Sequence, residues 1–89
     1  MGSPAFATGD GWVVRAGWWG NYGNIVVIRH PSGHETRFAH LSVVSVQMGQ
    51  EVRRGQMVGR IGSTGRSTGP HLHYEVRLNG IALDPRRFM

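Results

Sequence analysis

The sequence predicts an all-β fold, a small barrel or sandwich, and three observations carry that expectation. Apolar residues come in short runs without helical spacing, and β-branched residues concentrate in those runs. Glycine, 14 of the 89 residues, separates them every few positions. A chain of this length makes one domain, near the size at which a single core is marginally sufficient.

The elements follow in order. Residues 1–7 read as an expression scar or disordered lead-in, because Met1-Gly2-Ser3 has that look, and the domain is placed over 8–89. Trp12 to Ala16 reads as a strand entered through the turn Gly9-Asp10-Gly11. Asn24 to His30 is a β-branched run, hence a second strand. Pro31-Ser32-Gly33 supplies turn chemistry, and His34 to Ala39 returns as the hairpin partner. Leu41 to Ser45 reads as a short connection of one helical turn. Glu51-Val52 and Met57 to Ile61 are short strands. His71 to Leu78 is a further strand that turns at Asn79-Gly80 into Ile81 to Leu83. The phrases Val46-Gln47-Met48-Gly49-Gln50 and Val52-Arg53-Arg54-Gly55-Gln56 repeat at an interval of six, which indicates two adjoining tight turns.

Composition narrows the function. There is no cysteine, so neither disulfides nor thiolate zinc ligands can reinforce the domain. All ten basic side chains are arginine, against five acids, which suits anionic surroundings. The scattered Arg15, Arg29 and Arg53 read as solvated surface. The arginines neither cluster nor interleave with aromatics in a nucleic-acid module, so no nucleic acid is expected. No apolar run approaches the roughly 18 residues of a membrane span.

The chemistry concentrates in Gly62 to Glu75, where a glycine- and hydroxyl-rich loop enters the strand with two histidines. Positions i and i+2 of a strand share a face, so His71 and His73 project together, opposite Leu72, Tyr74 and Val76. Such a pair suits a metal ligand and a proton-transfer partner, or else two surface imidazoles. Two histidines make at most part of a catalytic zinc site, which takes three protein ligands and a water. Of the other histidines, His30 and His34 read as turn-bonded or surface residues. His40 ends a strand, which alone is weak evidence.

With Asp10-Gly11-Trp12-Val13-Val14, Tyr22-Gly23-Asn24, Thr36-Arg37-Phe38-Ala39-His40-Leu41, Val52 to Gln56 and Ser63 to Glu75 in that order, the chain resembles the LytM/lysostaphin-type zinc endopeptidases. Those enzymes cut peptide cross-links of bacterial peptidoglycan. The resemblance runs from Thr8 to Phe88 and implies a compact β-sandwich of the barrel-sandwich hybrid, or duplicated hybrid motif, type. It implies that His73 is a zinc ligand and that His40 and His71 are the catalytic histidines. Glu75, on the same strand face, is a candidate for orienting one of them, with a solvated or salt-bridged carboxylate as the alternative. Trp18, Trp19 and Tyr22 are candidates for a substrate groove, against the alternative of packing over a small core.

One departure stands out. The family draws its other two zinc ligands from an upstream HxxxD motif, whereas the residues four places beyond the five histidines here are His34, Phe38, Val44, Glu75 and Arg77. The expectation is an N-terminally truncated domain with weak or absent zinc and little or no peptidase activity by itself. Unpaired sheet edges would then favour a homodimer. A bacterial envelope location, periplasmic or extracellular, is implied for the parent protein. The alternative is a non-catalytic relative that binds wall or regulates another hydrolase. A lipoyl or biotinyl carrier is excluded because the chain has no lysine. A histidine phosphocarrier survives only formally.

Overall fold

The computed structural model describes residues 2–62, 73–78 and 81–83. Eight strands make up nearly all of its regular structure: β1 (Pro4–Phe6), β2 (Gly11–Trp18), β3 (Asn24–Arg29), β4 (His34–Val44), β5 (Glu51–Val52), β6 (Met57–Ile61), β7 (His73–Leu78) and β8 (Ile81–Leu83). One 3₁₀ turn, Gly20–Tyr22, links β2 to β3. The strands form a single antiparallel sheet of order β1-β6-β4-β3-β2-β5, with β7 added on β4 and β8 on β7. The expected all-β class is what the chain adopts.

β3 is central and buried on both faces, which is why its β-branched run has no polar alternation. Val26 and Ile28 point into the main core, with Ala5, Val13, Phe38, Leu41, Val46, Val52 and Val58. Ile25 and Val27 face the other way and form a smaller cluster with Ala39, roofed by Val14, Trp19 and Tyr22. The main core therefore collects residues from nearly every strand around the curl, while the smaller cluster lies on the sheet's outer face.

The repeated phrases build two matched turns. In each, the last glutamine's N–H donates to the first residue's carbonyl, Gln50 to Gln47 at 3.1 Å and Gln56 to Arg53 at 3.0 Å. The same glutamine's Oε1 accepts from that first residue's N–H, at 3.1 Å in both turns. Gly49 and Gly55 stand at φ 90 and 84, a left-handed conformation that glycine adopts without strain. Their N–H groups donate to the carbonyls of Val13 and Ala7, at 2.7 and 2.8 Å. Val46, Val52 and Val58, six residues apart, are all buried in the main core. The repeat is thus a pair of stacked rungs that staples the 46–58 segment to the start of β2 and the end of β1.

Two expectations need correction. Pro4–Phe6 is no disordered lead-in: it pairs with β6, and Ala5 and Ala7 are buried in the core. Leu41 to Val44 is not a helical turn but the continuation of β4, which exchanges one neighbour for another along its length. His71, Leu72 and the Asn79-Gly80 turn lie outside the described residues.

Candidate functional site

β4 runs for 11 residues and keeps β3 along one edge. Its other edge is shared. His34 to Ala39 pair with β7, and Leu41 to Val44 pair with β6. His40 falls at the exchange. Across the β3 edge, Phe38 faces Val26 and Leu41 faces Asn24, so Ala39 and His40 together oppose Ile25 in a β-bulge. Phe38 and Leu41, three apart, both lie in the main core. The two residues between them are therefore turned to the outer face, where Ala39 belongs to the smaller cluster.

His40 has φ 58, the one non-glycine residue with positive φ among the described residues. That conformation is uncommon for a residue with a side chain and concentrates at functional sites. The imidazole is nevertheless buried, at 5% exposure. The bulge is pinned from β3, where the Asn24 side-chain amide donates to the Leu41 carbonyl at 3.1 Å. Asn24 is a positioning residue that strand patterning did not single out.

Opposite Ala39 on β7 stands the backbone of His73, and opposite Arg37 the backbone of Glu75. The register thus brings the strand that begins at His73 alongside the bulge that carries His40. His30 and His34 are elsewhere. They sit at the hairpin end of β3 and β4, about 20 Å from His40 at the rise of an extended strand. His30 Nδ1–H donates to the Asp10 carbonyl at 2.8 Å, which leaves Nε2 to accept from the Thr36 hydroxyl at 3.0 Å. His30 and His34 border a cleft of ≈ 550 Å³ with Asp10, Thr36 and Arg54. The Asp10 carboxylate already accepts from the Arg54 N–H at 2.8 Å. These are turn contacts, as the sequence suggested for His30.

A second bulge mirrors the first. On β2, Val13 faces Ile28 and Arg15 faces Val27, so Val14 and Arg15 together oppose Val27. Val14 joins the outer cluster, and the Arg15 guanidinium lies 4.2 Å from the Trp19 ring centroid. Trp19 and Tyr22 are stacked at 5.3 Å with planes 16° apart. The Arg37 guanidinium sits 5.2 Å from Trp19 and 5.8 Å from Tyr22. Arg37 also meets Glu35 at 3.4 Å, while the other Glu35 oxygen meets Arg29 at 3.2 Å. Arg37 is 16% exposed, and its Nε is buried without a hydrogen-bond partner among the described residues. A donor left so costs about 1–3 kcal/mol. Arg15 is exposed, as the sequence suggested, and lies against an aromatic ring that the sequence did not assign to it. Trp19 and Tyr22 do pack over the smaller cluster, whereas Trp18 is 65% exposed.

Among the described residues, no three histidines, aspartates or glutamates come close enough to hold a metal ion. The described side chains do not fit a zinc site by themselves.

An all-β frame with a buried histidine on a bulge, next to the strand that begins at His73, invites comparison with known proteins. Residues 1–85 match the family described as peptidase family M23, and the chain belongs to that family. It is 54% identical over 85 residues to the DD-carboxypeptidase/endopeptidase Mpg of Neisseria meningitidis serogroup B, covering 96% of this chain and 20% of that protein. It is 45% identical over 86 residues to the peptidoglycan DD-endopeptidase ShyC of Vibrio cholerae, covering 97% of this chain and 20% of that protein. The catalytic domain of lysostaphin from Staphylococcus simulans superposes with a TM-score of 0.94 at 38% identity, over 99% of this chain and 71% of that one. The chain spans about a fifth of the length of the curated relatives it matches. Peptidases of this family are zinc metalloproteases. No helix among the described residues is long and apolar enough to cross a membrane.

Proposed function

We propose that this chain is part of a zinc-dependent endopeptidase that hydrolyses peptide cross-links of bacterial peptidoglycan, in the cell envelope or outside the cell. The observation that carries the reading is the bulge that holds buried His40 next to Ala39, the backbone partner of His73. In this reading His73 is a zinc ligand and His40 and His71 serve proton transfer or stabilise the transition state. His73 would hold the metal together with ligands from outside this chain, and the chemistry supplied there would be that of a Lewis acid. Glu75 would orient one histidine. The names of Mpg and ShyC, one of them also a carboxypeptidase, support a D,D-peptide bond as the target.

The 89 residues hold no HxxxD pair, so they supply one of the three expected ligands. The chain alone is expected to bind zinc weakly and to hydrolyse little. The test compares it with a form extended by whatever sequence precedes it in its gene. Zinc affinity is read by calorimetry, and release of soluble fragments from purified sacculi by chromatography. In an active form, His40→Ala and His71→Ala should each lower hydrolysis by about 10²-fold or more. His73→Ala should lower zinc affinity as well. Undiminished hydrolysis in the three variants would sink the proposal.

The absence of HxxxD favours a second reading, a non-catalytic domain that binds wall or regulates another hydrolase. Sacculus binding without hydrolysis in every form, extended or not, would select it. A homodimer through sheet edges is also proposed, since Phe6 and Trp12, on strands at or next to the ends of the sheet path, are about half exposed. Sedimentation at a single monomer mass up to millimolar concentration would exclude it.

A further inference from the structure

The outer face beside His40 carries a concentration of positive charge that neither core packing nor the proposed catalytic histidines use. Two guanidiniums, Arg15 and Arg37, lie over one stacked aromatic pair, at 4.2 and 5.2 Å from the Trp19 ring. The described carboxylate within reach is Glu35, and it is divided between Arg37 and the exposed Arg29. Arg37 reaches the Tyr22 hydroxyl only at 3.4 Å, and its buried Nε donates to nothing described. Two guanidiniums gathered this closely, that of Arg15 exposed, present positive charge to an incoming anion even with the Glu75 backbone opposite Arg37. The rings hold the guanidinium planes in place, so little side-chain freedom is lost when an anion docks.

The position of the cluster says which anion. Arg37 is two residues before Ala39 on β4, and Ala39 is the backbone partner of His73. Diagonal neighbours across an antiparallel pair lie about 7–8 Å apart, roughly the span of two peptide units. We propose that Arg15 and Arg37, presented on the Trp19–Tyr22 stack, form a subsite that recognises a free carboxylate of the peptide substrate, one or two residues from the bond to be cut. A planar carboxylate matches the fork of a guanidinium in a way that a neutral amide cannot. This inference rests on the peptidase reading for the identity of the ligand, but binding at the subsite requires neither zinc nor turnover.

The experiment therefore uses the chain as it is. Acetyl-D-alanyl-D-alanine, its C-terminal amide and inorganic phosphate are titrated separately into the labelled protein. The indole N–H resonance of Trp19, assigned with Trp19→Phe, is followed by NMR. The free acid should shift that resonance and bind at least about tenfold more tightly than the amide, for the loss of one charge-assisted pair. Arg37→Gln should abolish that preference, and Arg15→Gln, at an exposed position whose loss leaves the core intact, should reduce it several-fold. Equal affinity for acid and amide, an unchanged preference in Arg15→Gln, no binding at ten-millimolar peptide, or phosphate binding as tightly as the peptide would each overturn the subsite. Acid-selective binding with no hydrolysis in any extended form would overturn the enzyme reading and leave the subsite standing.

Discussion

The rungs of residues 46–58 and the bulge at Ala39–His40 solve opposite problems with the same sheet. In the rungs every local preference agrees with the fold. Glycine sits where φ is positive, glutamine closes the turn it ends, and valine fills the core every sixth residue. At the bulge the local preferences are overridden: a histidine takes φ 58 and is buried at a point where its strand changes partner. The first region is built for stability and the second holds strain in place, which is how the scaffold and the site of one small domain differ.

Substitutions at five positions sharpen or break this contrast. Phe38→Ala removes the fully buried ring just before the bulge and should destabilise the fold by about 3–5 kcal/mol in urea unfolding, since both regions share that core. In the rungs, Gly49→Ala and Gly55→Ala should each cost about 1–2 kcal/mol for a forced left-handed residue. They add in the double variant because the two turns share no hydrogen-bond partner, and peptide binding at the outer face should be unaffected. Asn24→Ala loses the bond to the Leu41 carbonyl and should cost about 1 kcal/mol. Its effect on hydrolysis in an active form should exceed that of either rung variant, and an equal effect would show that the bulge needs no pin. Smallest in stability is His40→Gly, which should unfold about 0.5–1 kcal/mol later than His40→Ala because glycine accepts the positive φ. Both should be equally inactive.

The legibility of the sequence divides along the same line. The rungs could be read because their chemistry is periodic and local, and the β-branched run of β3 could be read because burial on both faces leaves no alternation to misjudge. The HxH pair was also visible, as spacing within one strand. What could not be read were the two bulges. Strict alternation carries Phe38 to the same face as His40, and Val13 to the same face as Arg15; an extra residue in each strand reverses this. For that reason His40 gained significance only from family resemblance, Arg15 was read as surface without its aromatic partner, and Asn24 and Arg37 stood in the matching motifs with no role of their own. β1 was missed because three residues with one buried alanine carry too little pattern to register.

The exchange of partners along β4 also bears on when the site comes into being. β6 and β7 grip the strand on either side of His40, and they are separated in the chain by residues 62–72. Neither grip alone fixes the bulge, so the buried histidine takes its final orientation only after the last long strand has docked. A polypeptide emerging from the ribosome would carry a finished scaffold and an unfinished blade. The amides of His34 to Ala39 that bond to β7 should accordingly gain protection from hydrogen exchange later than the amide of Val58 during refolding. Such an order leaves the pocket of the buried histidine open until the whole sheet has closed around it.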